Sequence, residues 1–162
     1  MILEKVISGG QTGADQAGLV SAALCNIPTG GWISKGFRTE LGNEPSLARF
    51  GLQETESSDY PTRTMKNVHE SDGTVRIAFD FNSAGERLTR NLCIDAQKPY
   101  FDVAVFEGGA WVSDPEDLAQ WIIKHKIKVL NVAGNRETTC PGLHQQAILH
   151  LMRVFQLVKE KS

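Results

Sequence analysis

Cysteine is scarce in this chain: Cys25, Cys93 and Cys140, an odd number spread far apart. Such a set makes neither a disulfide framework nor the paired spacing of a zinc site, and it points to a reducing compartment. There is no basic excess either. The formal net charge is −2, so an extended nucleic-acid footprint is not expected and any phosphate site must be local. No apolar run approaches the roughly 20 residues needed to cross a bilayer, so no membrane association is expected. The opening Met1-Ile2-Leu3-Glu4-Lys5-Val6-Ile7 lacks the basic head, long apolar middle and small-residue cleavage site of a secretory signal, which makes the cytoplasm the expected location. The four histidines, His69, His125, His144 and His150, form no ligand pattern, and no nucleophile–base arrangement emerges. Neither a protein-held metal nor a catalytic residue is expected.

What is present is 162 residues, 41% hydrophobic and 22% charged, which fits one globular domain with its own core. Residues 2–8 read as a buried strand, rich in β-branched residues and ended by a glycine pair. Residues 13–26 place Ala14, Ala17, Leu19, Ala22, Ala23 and Leu24 at helical spacing, with Asn26 and Pro28 as the stop. A strand, a glycine turn and a helix open a βαβ unit. Residues 30–33 give a short second strand, and residues 34–58 read as a long irregular functional loop. A helix follows from Tyr60-Pro61 to about Glu70, then a strand over residues 74–79 and a helix over residues 85–96. Lys98-Pro99-Tyr100-Phe101 starts the next extended segment. Asp114-Pro115-Glu116-Asp117 is a strong helix start, with a capping acid, proline at the first helical position and acids in the first turn. That helix ends near Lys126, residues 127–133 form the last strand, and residues 141–159 form a final amphipathic helix. This alternation predicts an α/β, Rossmann-like three-layer sandwich: a mostly parallel sheet, helices on both faces, and ligands at the carboxyl ends of the strands.

The first turn, Ser8-Gly9-Gly10-Gln11-Thr12-Gly13, is the sharpest chemical feature. Its glycines allow close backbone approach to a ligand, and the helix start beyond offers unpaired N–H groups to an oxyanion, with Gln11 and Thr12 as side-chain donors. The turn lacks the Lys-Ser/Thr end of a P-loop. Asp15, in the first helical turn, could accept hydrogen bonds from a ligand. Lys35 and Arg38 follow the second strand, at the same sheet edge, and can meet further phosphate charge. Arg63 and Asn67 share a helix face, with Thr64 beside them and Thr55, Ser58 and Tyr60 nearby. Gly85 and Thr89 mark a second polar turn, and Gly134 with Arg136, in Asn131-Val132-Ala133-Gly134-Asn135-Arg136, a third. Three such turns at equivalent strand ends converge on one crevice.

The order Ile7-Ser8-Gly9-Gly10-Gln11-Thr12-Gly13-Ala14-Asp15, then Gly30-Gly31-Trp32 with Lys35-Gly36 and Arg38, resembles the molybdenum carrier family. So do Glu54-Thr55, Ser58, Tyr60, Arg63-Thr64, Asn67-Val68 and Ser71-Asp72, and later Leu130 to Gly134 with Arg136-Glu137 and Pro141-Gly142. That family is similar to a larger Rossmann-like group that includes the lonely-guy-type phosphoribohydrolases. The resemblance implies one Rossmann-like carrier domain over residues 1–162, a homo-oligomer (dimer or tetramer), and a site for a small phosphorylated ligand. For a carrier the ligand is molybdenum cofactor (molybdopterin), a pterin with a terminal phosphate, or otherwise a phosphate-bearing nucleotide, held without catalysis. The alternative is a nucleoside-monophosphate phosphoribohydrolase, an N-glycosidase. Those enzymes carry Pro-Gly-Gly-x-Gly-Thr-x-x-Glu at the third turn, and aligning its later glycine on Gly85 puts Thr89 where the catalytic Glu is expected. A hydroxyl cannot replace that carboxylate. The same alignment puts Glu86 where both groups carry Thr, and a carboxylate there would repel phosphate.

Overall fold

The computed structural model describes residues 1–105 and 113–162. Its centre is a six-stranded parallel sheet. In chain order the sheet strands and the helices after them begin with β1 (Lys5–Ser8), α1 (Ala14–Leu24) and β2 (Thr29–Ile33). Two short strands, β3 (Arg38–Thr39) and β4 (Gly42–Asn43), pair antiparallel as a separate ribbon. A 3-10 helix (Pro45–Phe50) leads to β5 (Leu52–Glu54), followed by α2 (Tyr60–Glu70), β6 (Gly73–Ala78), α3 (Ala84–Asp95) and β7 (Tyr100–Ala104). The chain ends with α4 (Pro115–Lys124), β8 (Val129–Gly134) and α5 (Leu143–Lys161).

Across the sheet the strands run β5-β2-β1-β8-β6-β7. The last sheet strand is therefore inserted between the first strand and β6, with Ile7 opposite Asn131 and Thr74 opposite the same Asn131. Both flanks of β8 are buried, and Leu130 and Val132 are fully enclosed. Right-handed crossovers place helices by the direction of travel. The step from β1 to β2 runs one way, and the steps from β5 to β6 and from β6 to β7 run the other. Helices α1, α5 and α4 accordingly pack together on one face, and α2 packs on α3 on the other. Chains leaving β8 and β6 diverge to opposite faces, which opens a crevice at their carboxyl ends.

The local signals are the expected ones. Asp59 caps α2 by accepting the Thr62 amide (2.8 Å), Ser83 caps α3 through the Glu86 amide (3.3 Å), and Asp114 caps α4 through the Glu116 amide (2.9 Å). The Rossmann-like sandwich expected from the alternation is the observed fold. The segment 34–58 is the correction. It is not an irregular loop: it holds the ribbon, the 3-10 helix and the edge strand β5, which pairs with β2 at Gly31, Trp32 and Ile33. Only Leu52 of β5 is buried, so three residues carry no alternation to read. The segment still builds a satellite core, because Leu47, Phe50 and Leu52 close over Ile33 and Leu19.

The turn between β1 and α1 is held against the turn after β8. Gly13 has φ +77°, and a Cβ there would lie 2.8 Å from the Glu137 amide nitrogen and 2.9 Å from the Arg136 carbonyl carbon. The Ala14 amide donates to the Asn135 carbonyl (3.1 Å) across the same contact. Gly13→Ala therefore meets both a left-handed backbone and a rigid neighbour. It is expected to lose about 2 kcal/mol or more of stability, measured as a lower urea midpoint at unchanged m-value.

Candidate functional site

A cavity of about 560 Å³ opens over the carboxyl ends of β1, β8 and β6, between α2 and α3. The β1 turn contributes Gly9, Gln11 and Asp15 to its wall. From α2 come Arg63, Thr64 and Asn67, from α3 Gly85 and Thr89, and from the β8 turn Gly134 and Arg136. Ten of the residues singled out in the sequence thus share one cleft. Gly10, Thr12, Gly13, Lys35 and Arg38 do not line it.

Three amides of the glycine turn are satisfied within the turn and its helix. The Gly10 amide donates to Ser8 Oγ (3.2 Å), the Gln11 amide to Asp15 Oδ2 (3.1 Å) and the Thr12 amide to Gln11 Oε1 (3.0 Å). The Thr12 hydroxyl donates to the Glu40 carboxylate, which also accepts the Thr138 amide (3.3 Å) and hydroxyl (2.5 Å) and lies 3.9 Å from Arg136 Nε. Of the amides expected to seat an anion on this loop, those of Gly10, Gln11 and Thr12 are satisfied from within, and a carboxylate of the β3–β4 ribbon takes the Thr12 hydroxyl. Partial burial works against the charge of Glu40, but these hydrogen bonds and Arg136 hold its carboxyl below the usual range. Lys35 stays exposed. Arg38 stacks on the Tyr60 ring (4.6 Å) and donates to the Ser58 carbonyl (2.8 Å), which keeps it outside the cleft.

Several lining residues are structural. Asn67 clasps the β2 backbone, accepting the Trp32 amide and donating to its carbonyl, both at 2.9 Å. Thr64 and Thr89 donate back to the Tyr60 and Gly85 carbonyls within their own helices. Asp15 and Arg63 form a buried ion pair (3.1 Å) that ties α1 to α2. Burial pushes the Asp15 carboxyl above its ordinary range, against the lowering by Arg63 and by the Gln11 amide. Gly9 has no room for a side chain, because an added Cβ would meet the Arg63 guanidinium carbon at 2.7 Å and Asp15 Oδ2 at 2.9 Å.

Three of the lining residues carry a buried polar atom without a hydrogen-bond partner: Gln11 Nε2, Arg63 Nε and Glu86 Oε2. Unpaired buried polar atoms are uncommon and costly, so their presence on three residues of one lining marks the cavity as built for something polar. Sequence reasoning missed Glu86 as a site residue and left Tyr60, Asn131 and Asn135 out of the set. The signal for Glu86 lay in Arg76, a cation within the fully buried strand β6 that demands carboxylate company. Arg76 pairs bidentately with Asp102 (2.8 and 2.6 Å), donates to the Glu86 carbonyl (2.8 Å), and holds the Glu86 carboxylate only at 4.0 Å. Asn135 is also structural, binding the Phe79 and Asp80 amides (2.8 and 3.0 Å) and so fixing the β8 turn to the β6 turn. At the mouth, Arg63 and Arg136 flank the Tyr60 ring at 5.0 and 5.6 Å, and Arg136 keeps 43% of its side chain exposed. Among the described residues, no group of His, Cys, Asp and Glu side chains could hold a metal ion, and no helix is long and apolar enough to cross a membrane.

Burial raises the Glu86 carboxyl from 4.5 to about 7; Arg76 opposes this, while Asp15, Asp102 and Asp80 add to it. The folded chain thus binds this proton more tightly than the unfolded chain does. Stability from this group is complete below the unfolded value of 4.5 and declines as pH rises through about 7. Glu86→Gln is expected to unfold at the same denaturant concentration as wild type near pH 4.5. At pH 8 it is expected to be more stable, by on the order of 3 kcal/mol.

A search of curated proteins gives no significant match. Among solved structures, the chain is similar to the crystal structure of a putative molybdenum carrier protein from Syntrophus aciditrophicus, at 37% identity and a TM-score of 0.80, covering 97% of this chain and 95% of that one. The family model for the circularly permutated YpsA SLOG family matches residues 6–155, a span that runs from β1 through the cleft to α5. By that match, over nearly its whole length, the chain belongs to the circularly permutated YpsA SLOG family.

Proposed function

We propose that the α2–α3 cleft binds a small phosphate-bearing heterocycle and holds it without changing it chemically: molybdenum cofactor or a related phosphorylated pterin, or else a nucleotide. The observation that carries this reading is that three residues lining a single cavity, Gln11, Arg63 and Glu86, each hold a buried polar atom without a partner. Its volume of about 560 Å³ lies within the range of about 300–1,000 Å³ usual for small-molecule sites. The name of the structural neighbour supports a molybdenum-related ligand. Because three amides of the glycine turn and the Thr12 hydroxyl already have acceptors, the phosphate belongs at the mouth, where Arg136 is exposed and Gly85 and Ser83 frame the start of α3. Arg136 supplies a planar, bidentate donor there. Gly9, Gln11, Asp15, Arg63 and Glu86 then form the inner wall, and Thr64, Asn67, Thr89 and Gly134 shape it. Binding and protection need a fitted pocket and donors, and no reacting side chain. A homo-oligomer and a cytoplasmic setting belong to the same reading.

One observation favours a second reading, N-glycosidic cleavage of a nucleoside monophosphate. Glu86 lines the cleft and its carboxyl is held at about 7, the poise of a general acid at neutral pH. Incubation with GMP separates the two. The binding reading expects saturable one-site binding by calorimetry, GMP recovered intact by chromatography, and an affinity about tenfold weaker in Arg136→Ala, as for loss of one charged hydrogen bond. Free guanine would establish the second reading, and absence of binding by any nucleoside monophosphate or phosphorylated pterin would overturn the first.

A further inference from the structure

Glu86 stands in the third position of α3, its helix start fixed by the Ser83 cap, with only 5% of the residue exposed. Its backbone carbonyl is used by Arg76, but Oε2 accepts nothing. Arg76 cannot turn to it, because Asp102 holds Nε and Nη2. The lining therefore includes one acceptor group without a donor, Glu86, and two residues with donors lacking acceptors, Gln11 (Nε2) and Arg63 (Nε). Gln11 is pinned by its own Oε1, which accepts the Thr12 and Glu40 amides (3.0 and 2.8 Å), and its Nε2 is left without an acceptor. A bare cation would satisfy Glu86 and repel Arg63, and an inorganic anion would do the reverse. The set fits a ring that carries N–H donors on one stretch of its edge and a carbonyl acceptor next to them.

We infer that Glu86 determines ligand specificity by accepting the ring N–H and the exocyclic amino group of a 2-amino-4-oxopyrimidine edge, with Gln11 and Arg63 donating to the adjacent oxygen. Guanine and pterin rings both present that edge. Adenine presents an acceptor where the ring N–H must be, and hypoxanthine lacks the amino group. A carboxylate meets two parallel donors bidentately, as it meets an arginine fork. A site built to hydrogen-bond a group rejects the analogue that lacks it, because the buried partner is then left unpaired. This inference rests on the binding reading given above and names the ring that the cleft selects. It also sets a pH dependence, since the ionised carboxylate accepts both donors and the protonated one accepts less. The charged groups facing Glu86 are Arg76 from β6, Asp102 from β7, Asp80 from the turn after β6 and Asp15 from α1, the last already paired with Arg63. With Glu86 ionising at about 7, the preference for the amino-bearing ring strengthens between pH 6 and pH 8.

The test is calorimetric titration of the wild-type chain with GMP, IMP and AMP at pH 6 and pH 8. GMP and IMP share the phosphate, the sugar and the ring carbonyl, so their ratio isolates the amino group. The expected result is GMP tighter than IMP by about tenfold at pH 8, AMP weaker than both, and a smaller GMP-to-IMP ratio at pH 6. In Glu86→Gln, the GMP-to-IMP ratio is expected to fall toward one and to lose its pH dependence. Equal binding of GMP and IMP by the wild-type chain overturns the inference while leaving the binding reading intact, and this comparison needs no variant to fold. Persistence of the preference in Glu86→Gln overturns it as well. Failure of all three nucleotides to bind overturns the binding reading for nucleotides and this inference with it.

Discussion

The cleft is organised around one buried ion pair, Asp15 with Arg63. Asp15 Oδ2 accepts both the Gln11 amide and the Arg63 guanidinium, at 3.1 Å each, so one carboxylate oxygen closes the glycine turn and anchors α2 above the sheet. Gly9 lacks a side chain because that guanidinium lies where a Cβ would be. The pair crosses from the helix after β1 to the helix after β5, and thereby fixes α2, one wall of the cavity, to the β1 turn. Removing one partner would leave the other charged, buried and unpaired, an arrangement that costs about 3–5 kcal/mol in comparable sites. Stability and site shape therefore hang on the same contact.

Around that pair the cleft carries an unusual charge balance. Glu40 is saturated by Thr12, Thr138 and the nearby Arg136, and it fastens the β3–β4 ribbon to the turns of β1 and β8. Glu86 is the opposite case: buried, held by Arg76 only at 4.0 Å, and short of hydrogen bonds. A folded chain that tolerates one such carboxylate, with two donors lacking acceptors on residues of the same lining, stores free energy that a complementary ligand could recover. Basicity gathers at the mouth instead, where Arg136 is open to solvent and Tyr60 separates it from Arg38.

Much of the fold was legible in the sequence because strong local signals coincided with the global pattern. Pro61 behind the Asp59 cap, Pro115 behind Asp114, and the glycines after β1 and β8 marked their boundaries without tertiary help. The edge strand β5 was not legible, since three residues with one buried side chain produce no period. The insertion of β8 between β1 and β6 is a nonlocal choice that no local pattern encodes. The site was half legible. Glycine turns at strand ends predicted the crevice and brought ten residues to it. Which polar groups would be consumed internally was not legible, because that depends on Glu40 arriving from a ribbon read as loop and on Asp15 turning back to Gln11. Glu86 read from sequence as an obstacle to phosphate; in three dimensions it is buried with Arg76 at 4.0 Å, whereas Arg136 is open to solvent.

The most direct test is a crystal structure of the chain soaked with GMP. The ligand is predicted between α2 and α3, its phosphate at Arg136 and its ring against Glu86, with the Thr12–Glu40 contact undisturbed. A nucleotide bound instead on the amides of the Gly9 to Gly13 turn, with Glu40 displaced, would contradict it.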